Sequence, residues 1–237
     1  MLAARGHALI IATLTAGDCG SSGLGPAETA AIRKGEAATA AAVIGAEYHC
    51  LGLPDLGVFS NDVTRRTVTE FLRSAAPDVV ITASPQDYHP DHEATSALVR
   101  DACFAASTPN YAAGSAPPLP AIPHLYFTDP ISGRDRDGRR VSPDFGVDVE
   151  PVAETKRRML AAHESQFSWL AKQHGLADPI AEMDAWSRRR GRDFGVSRAE
   201  GFRHYRGTPY PRTPLLQDLL GDALLAWPTV GETGPDA

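Results

Sequence analysis

Cysteine is scarce in this chain, with only Cys19, Cys50 and Cys103 among 237 residues. Their wide spacing and odd number exclude a disulfide framework and leave no CxxC metal knuckle, so a reducing, cytoplasmic setting is expected. A long apolar run is also missing. Ala8 to Thr15 falls well short of the ~20 residues a membrane-spanning helix requires, and it reads as a buried strand rather than a signal peptide. No glycine pattern of the dinucleotide type occurs either: the glycines from Gly17 to Gly25 lack the GxGxxG spacing that opens a helix. Positive charge is not in excess. A formal net charge of −6 argues against nonspecific nucleic-acid binding. Two arginine-rich patches, Arg134 to Arg140 and Arg188 to Arg192, are expected to be solvated surface.

What is present is ordinary soluble-protein composition, 43% apolar and 22% charged, in a length that suits one α/β domain. Strand and helix patterns alternate along the chain, which predicts βαβ units around a parallel sheet. Strands are expected at His7 to Thr15, Glu47 to Leu53, Asp78 to Ala83, Leu125 to Thr128, Phe145 to Val149 and Ala199 to Arg203. Helices are expected from Pro26 to about Ile44, from Asp62 to Ala75 with Asn61 as cap, from Asp91 to Ala106, from Glu154 to about His174, and from Pro179 to Arg190. Cys50 and Cys103 fall in apolar surroundings and are expected to be buried packing residues. The tail from Pro228 is read as disordered from its composition.

Chemistry concentrates in Asp87-Tyr88-His89-Pro90-Asp91-His92. Two histidines and two carboxylates fall within six residues where a buried strand gives way to a helix, the position at which α/β sheets build their sites. A metal or proton-transfer site is the first expectation. The plainer alternative is that His89 and Asp91 merely cap the helix that follows. Elsewhere, Arg33 and Glu36 stand i, i+3 on one helix and read alone as an exposed ion pair. His163 and Gln166 read as packing residues of an amphipathic helix. His7, His49, His124, His174 and His204 have no acidic or histidine neighbours at ligand spacing and read as structural or surface residues.

Several segments together resemble the LmbE-like, or PIG-L, family of zinc-dependent N-acetylglucosaminyl deacetylases. Asp87-x-His89-Pro90-Asp91-His92 resembles the family's second signature. Thr13 to Asp18, Arg33-Lys34-Gly35-Glu36 with Ala37 and Gly45, Leu53-Pro54-Asp55, Lys156 with His163-x-Ser165-Gln166, and Ala199-Glu200-x-Phe202 resemble its other landmarks in order. The family's first signature, Ala-His-Pro-Asp-Asp-Glu, does not occur, since the only His-Pro is His89-Pro90. The chain is therefore expected to begin inside the fold, without the N-terminal strand.

The resemblance implies a Rossmann-like three-layer α/β/α domain with a mostly parallel sheet over residues 1–206, followed by a C-terminal tail over 207–237. It implies one zinc per chain with His92 as a ligand. His89 and Asp91 would be catalytic, Asp91 orienting a histidine, while Arg33 and Asp55 would bind substrate. Zinc, with a carboxylate to take the proton of its water, would hydrolyse the acetamide of an N-acetylated amino-sugar conjugate. The first signature would supply the other ligands and the general base. The competing expectation is a truncated or non-catalytic member that binds sugar conjugates or a partner without turnover. No membrane span is expected, and an uncovered sheet edge would favour self-association into a homo-oligomer.

Overall fold

A computed structural model describes residues 1–21 and 23–227, apart from the His174 side chain; the reading of the tail from Pro228 onward lies outside them. The first half is built of βαβ units. β1 (Ile10–Thr15), α1 (Pro26–Ala42), β2 (Glu47–Leu53), α2 (Asp62–Ala75), β3 (Val79–Thr82), α3 (Pro90–Ala106) and β4 (His124–Thr128) follow one another. Local chemistry sets the boundaries. Pro26 stands in the first turn of α1. Asn61 accepts from the Thr64 N–H while Thr64 Oγ1 accepts from the Asn61 N–H, a reciprocal cap at the start of α2. At its other end, buried Arg73 donates to the carbonyls of Ala106 (3.1 Å) and Thr108 (2.8 Å), satisfying backbone acceptors at the end of α3.

The second half adds β5 (Phe145–Asp148), α4 (Ala153–Ala161), α5 (Glu164–His174), α6 (Pro179–Phe194), β6 (Ala199–His204), α7 (Leu215–Leu220) and β7 (Leu224–Ala226). Among the described residues the strands form two sheets. One contains β1 and β2; the other has the order β3-β4-β6-β5-β7. The α/β class is as expected, but the sheet is mixed rather than mostly parallel. β1–β2 and β3–β4 are parallel, while β4–β6, β6–β5 and β5–β7 are antiparallel. β4 divides the layers by alternation. Leu125 and Phe127 enter the core with Val68, Leu72, Leu98 and Cys103, whereas Tyr126 enters a second core with Phe145, Val147, Leu216 and Leu220. A fully buried leucine such as Leu98 or Leu125 contributes about 1.5–3 kcal/mol of transfer free energy.

Other expectations are corrected here. The helix anticipated from Glu154 to His174 breaks at Ala162–His163, because the Ser165 N–H and hydroxyl both donate to the Glu36 carboxylate, each at 2.7 Å. That anchor fixes the start of α5 against α1. The tail expected from residue 207 contains α7 and β7. Leu216 and Leu220 are buried, and β7 pairs with β5. Within the second arginine patch Arg190 is fully buried, not solvated. The helical period turns it inward to Asp129 (2.7 Å) and Asp193 (2.8 Å). Cys103 is buried as expected, and Cys50 is half-buried.

Candidate active site

The ends of β1, β2 and β3 meet at one rim. The Asp55 carboxylate, just beyond β2, accepts from the Cys19 N–H at 3.0 Å and from Thr15 Oγ1 at 3.5 Å. Asp91, beyond β3, accepts from the N–H groups of Leu56 (2.7 Å) and Val58 (3.4 Å). Two acids thus staple the three loops together at the carboxyl ends of the strands, the edge on which open α/β sheets bind ligands.

The Asp87–His92 segment is held from within. Asp87 is buried, and its Oδ1 accepts from the His89 N–H at 3.0 Å and lies 3.1 Å from His92 Nδ1. Burial pushes the Asp87 carboxyl up, but the hydrogen bonds from His92 and the His89 backbone outweigh it and leave the group below its ordinary value. With Nδ1–H given to Asp87, the neutral His92 ring presents its lone pair at Nε2, the arrangement typical of a metal-binding or basic histidine. The His92 side chain is 39% exposed, so that face is accessible. His89 caps α3, its Nδ1 accepting from the Asp91 N–H at 3.2 Å, which places the proton of the neutral ring on Nε2. The two imidazoles stack with centroids 4.6 Å apart, and Tyr88 stands edge-on to both. Glu93 closes the segment by accepting from the Asp87 N–H at 3.0 Å while pairing with Arg136.

Compared with the sequence expectations, His89 and His92 come together and Asp91 takes a different part. Its carboxylate holds backbone N–H groups rather than a histidine; the orienting acid is Asp87. The sequence signal for it was the five-residue separation from His92, long enough for a loop to fold back. Arg33 and Glu36 are not an exposed pair. Arg33 is 7% exposed and donates to the carbonyls of Gly17 and Gly20 (2.6 Å to the latter). Burial lowers its pKa, opposed by the charges of Asp55, Glu36 and Asp18. Gly17 has φ +68°, and a Cβ there would lie 2.7 Å from Arg33 Nη1, so the close approach of loop and guanidinium requires glycine. His204 is buried and stacked on Tyr126, while His49 does have an acidic neighbour, Glu47 at 2.8 Å.

Among the described residues, Asp18, Cys19 and Asp55 bring three metal-capable atoms within 4.8 Å of one another. The Cys19 thiol is pushed up by desolvation and then by Asp55 and Asp18, which opposes the thiolate a metal needs. His92 fits a catalytic zinc as one ligand with its orienting carboxylate in place. The usual count is three protein ligands, and no such set containing His92 forms among the described residues. Zinc binding is therefore not accounted for by these residues alone.

Residues 1–103 match the family model described as PIG-L, GlcNAc-PI de-N-acetylase. The chain carries the PIG-L, or LmbE-like, fold. A conserved protein from Thermus thermophilus is 26% identical with TM-score 0.70, the match covering 90% of each chain. The N,N'-diacetylchitobiose deacetylase of Pyrococcus horikoshii superposes with TM-score 0.72 at 24% identity over 90% of this chain and 78% of that one. The 4-carboxy-2-hydroxymuconate hydratase of Pseudomonas putida gives TM-score 0.68 at 20% identity over 90% and 89%. One PIG-L-like scaffold thus serves both a deacetylase and a hydratase, so fold alone does not choose the reaction.

Proposed function

We propose that this chain is an amide hydrolase of the PIG-L type, removing acetate from N-acetylated amino-sugar conjugates, with N-acetylglucosamine as the sugar. The observation that carries the proposal is the Asp87–His92 hydrogen bond beside a stacked His89 at the carboxyl rim of the strands. Water adds to the acetamide carbon, the C–N bond breaks, and acetate and a free amine leave. His89 Nε2–H is the donor for the developing oxyanion and then for the departing amine, contributions worth about 10²–10⁴-fold in such roles. Asp87 fixes the His92 tautomer so that Nε2 stays available as a ligand. The proton lost by the attacking water passes to solvent, from which His89 regains the one it gives to the amine. Arg33 holds the Gly17–Gly20 loop, and Asp55 ties that loop to β2. Their part in substrate binding is to shape the wall the sugar meets.

Zinc dependence belongs to the same proposal, with His92 as the ligand contributed by this rim. Elemental analysis of the chain and of His92→Ala after equilibration with zinc tests it. The expected result is more zinc retained by the wild-type chain than by the variant, as His92 is one ligand of the set; equal zinc in both would overturn the assignment. Release of acetate from N-acetylglucosaminyl conjugates tests the reaction itself.

A further inference from the structure

Leu56, the residue after Asp55, has φ +58°, a left-handed backbone that glycine adopts freely and leucine does not. Its N–H is held by the Asp91 carboxylate at 2.7 Å, yet the residue is 58% exposed. The fold uses that N–H, which any residue but proline supplies, and leaves the side chain in solvent. The side chain that packs from this turn is Val58, buried in the core, while Phe59 beside it is 67% exposed. Position 56 thus combines a strained backbone with apolar surface in water. Strain of this kind clusters where a ligand is handled.

Tyr88, three positions before Asp91, is exposed in the same way, at 55%. Its ring centroid lies 5.7 Å from the His89 ring and 5.9 Å from the His92 ring, which are themselves 4.6 Å apart. Near-equal distances place the tyrosine alongside the imidazole stack, not over the outer face of either ring. Asp91 joins the two exposed residues to the site, since its carboxylate holds Leu56 and its own N–H donates to His89 Nδ1 at 3.2 Å. The charged groups of the rim turn inward. Asp55 and Asp91 accept from backbone N–H groups, and Arg33 donates to backbone carbonyls. What the rim offers beside its histidines is therefore apolar.

From these positions we infer that Leu56 and Tyr88 form an apolar clamp that selects substrates carrying an apolar aglycone. The inference rests on the reaction proposed above and names the substrate class it takes. The acetamide meets the imidazoles, the polar end of the site, and the group attached to the sugar lies against the leucine and the tyrosine ring. An aryl or alkyl aglycone removes apolar surface from water on the substrate and on both residues. A methyl or strongly hydrated aglycone leaves that surface wet.

Acetate release from the phenyl and methyl glycosides of N-acetylglucosamine, compared as kcat/KM with zinc supplied, tests it. The wild-type chain should prefer the phenyl glycoside by at least about tenfold, chiefly through KM. Leu56→Gly and Tyr88→Ala should each bring the preference to within about twofold of parity, while Tyr88→Phe keeps it. Leu56→Gly relieves the left-handed backbone, so its urea midpoint should be no lower than that of the wild type. Equal kcat/KM for the two glycosides in the wild type, a preference that survives both Leu56→Gly and Tyr88→Ala, or a lowered midpoint in Leu56→Gly would each overturn the inference. If neither glycoside releases acetate, the proposed reaction fails and calorimetric titration decides the clamp separately. Tighter binding of the phenyl glycoside by the wild type, lost in Leu56→Gly, supports it; equal binding of both glycosides overturns it.

Discussion

The Asp87 carboxylate and the His92 imidazole meet at 3.1 Å, the acid buried and the histidine open on its other nitrogen. Everything proposed for the rim depends on this pair. Asp87→Asn keeps the size but removes the charge that fixes the His92 tautomer. Activity is expected to fall about 10–100-fold, the usual cost of losing a carboxylate behind a working histidine, with a stability loss of about 1–3 kcal/mol in urea unfolding.

Acid titration reads the same group. Asp87 is held below its ordinary value in the folded chain, so its stabilisation is complete above the unfolded carboxylate pKa of about 3.9. It is lost as pH falls through the lower folded value. Urea midpoints recorded from pH 6 to pH 2 should drop in that acid window, and the drop should be shallower in Asp87→Asn.

His89 separates capping from chemistry. Asparagine is a good helix cap, so His89→Asn should leave stability within about 0.5 kcal/mol. The proposed reaction should nevertheless slow about 10²–10⁴-fold, because the Nε2 donor is gone. A variant with unchanged turnover would reduce His89 to the cap that the sequence alone also allowed.

Much of this arrangement was legible in the sequence. Strand β2 and helix α2 occur at the expected bounds because Pro54, Asn61 and Pro77 punctuate the chain locally. The His89–His92 cluster was visible because its members are neighbours in sequence. What escaped depends on distant partners. Asp91 looked like an orienting acid until Leu56 and Val58 claimed its oxygens, and the break before α5 depends on Glu36, 129 positions from Ser165. Arg190 looked solvated because periodicity within α6 does not reveal that Asp129 waits on its inward face.

The Glu36 contact predicts a local effect. Glu36→Ala leaves the start of α5 without its two hydrogen bonds, and a loss of about 1–2 kcal/mol is expected. Hydrogen exchange should speed up over residues 163–173 and stay unchanged in α2 and α3.

Thiol chemistry checks the packing. Burial pushes the Cys103 thiol up to about 12, so it should resist Ellman's reagent at pH 8 until denaturant is added. Cys19, exposed at the rim, should react in the folded chain, more slowly than a free thiol because desolvation and Asp55 disfavour its thiolate.

The central claim is most directly tested by following acetate release from an N-acetylglucosaminyl conjugate by proton NMR, with zinc supplied, for the wild-type chain and His92→Ala side by side. The account predicts stoichiometric acetate and amine from the wild type and a rate at least about 10²-fold lower in the variant. A folded wild-type chain that releases no acetate, or a His92→Ala chain that releases it equally fast, would contradict it.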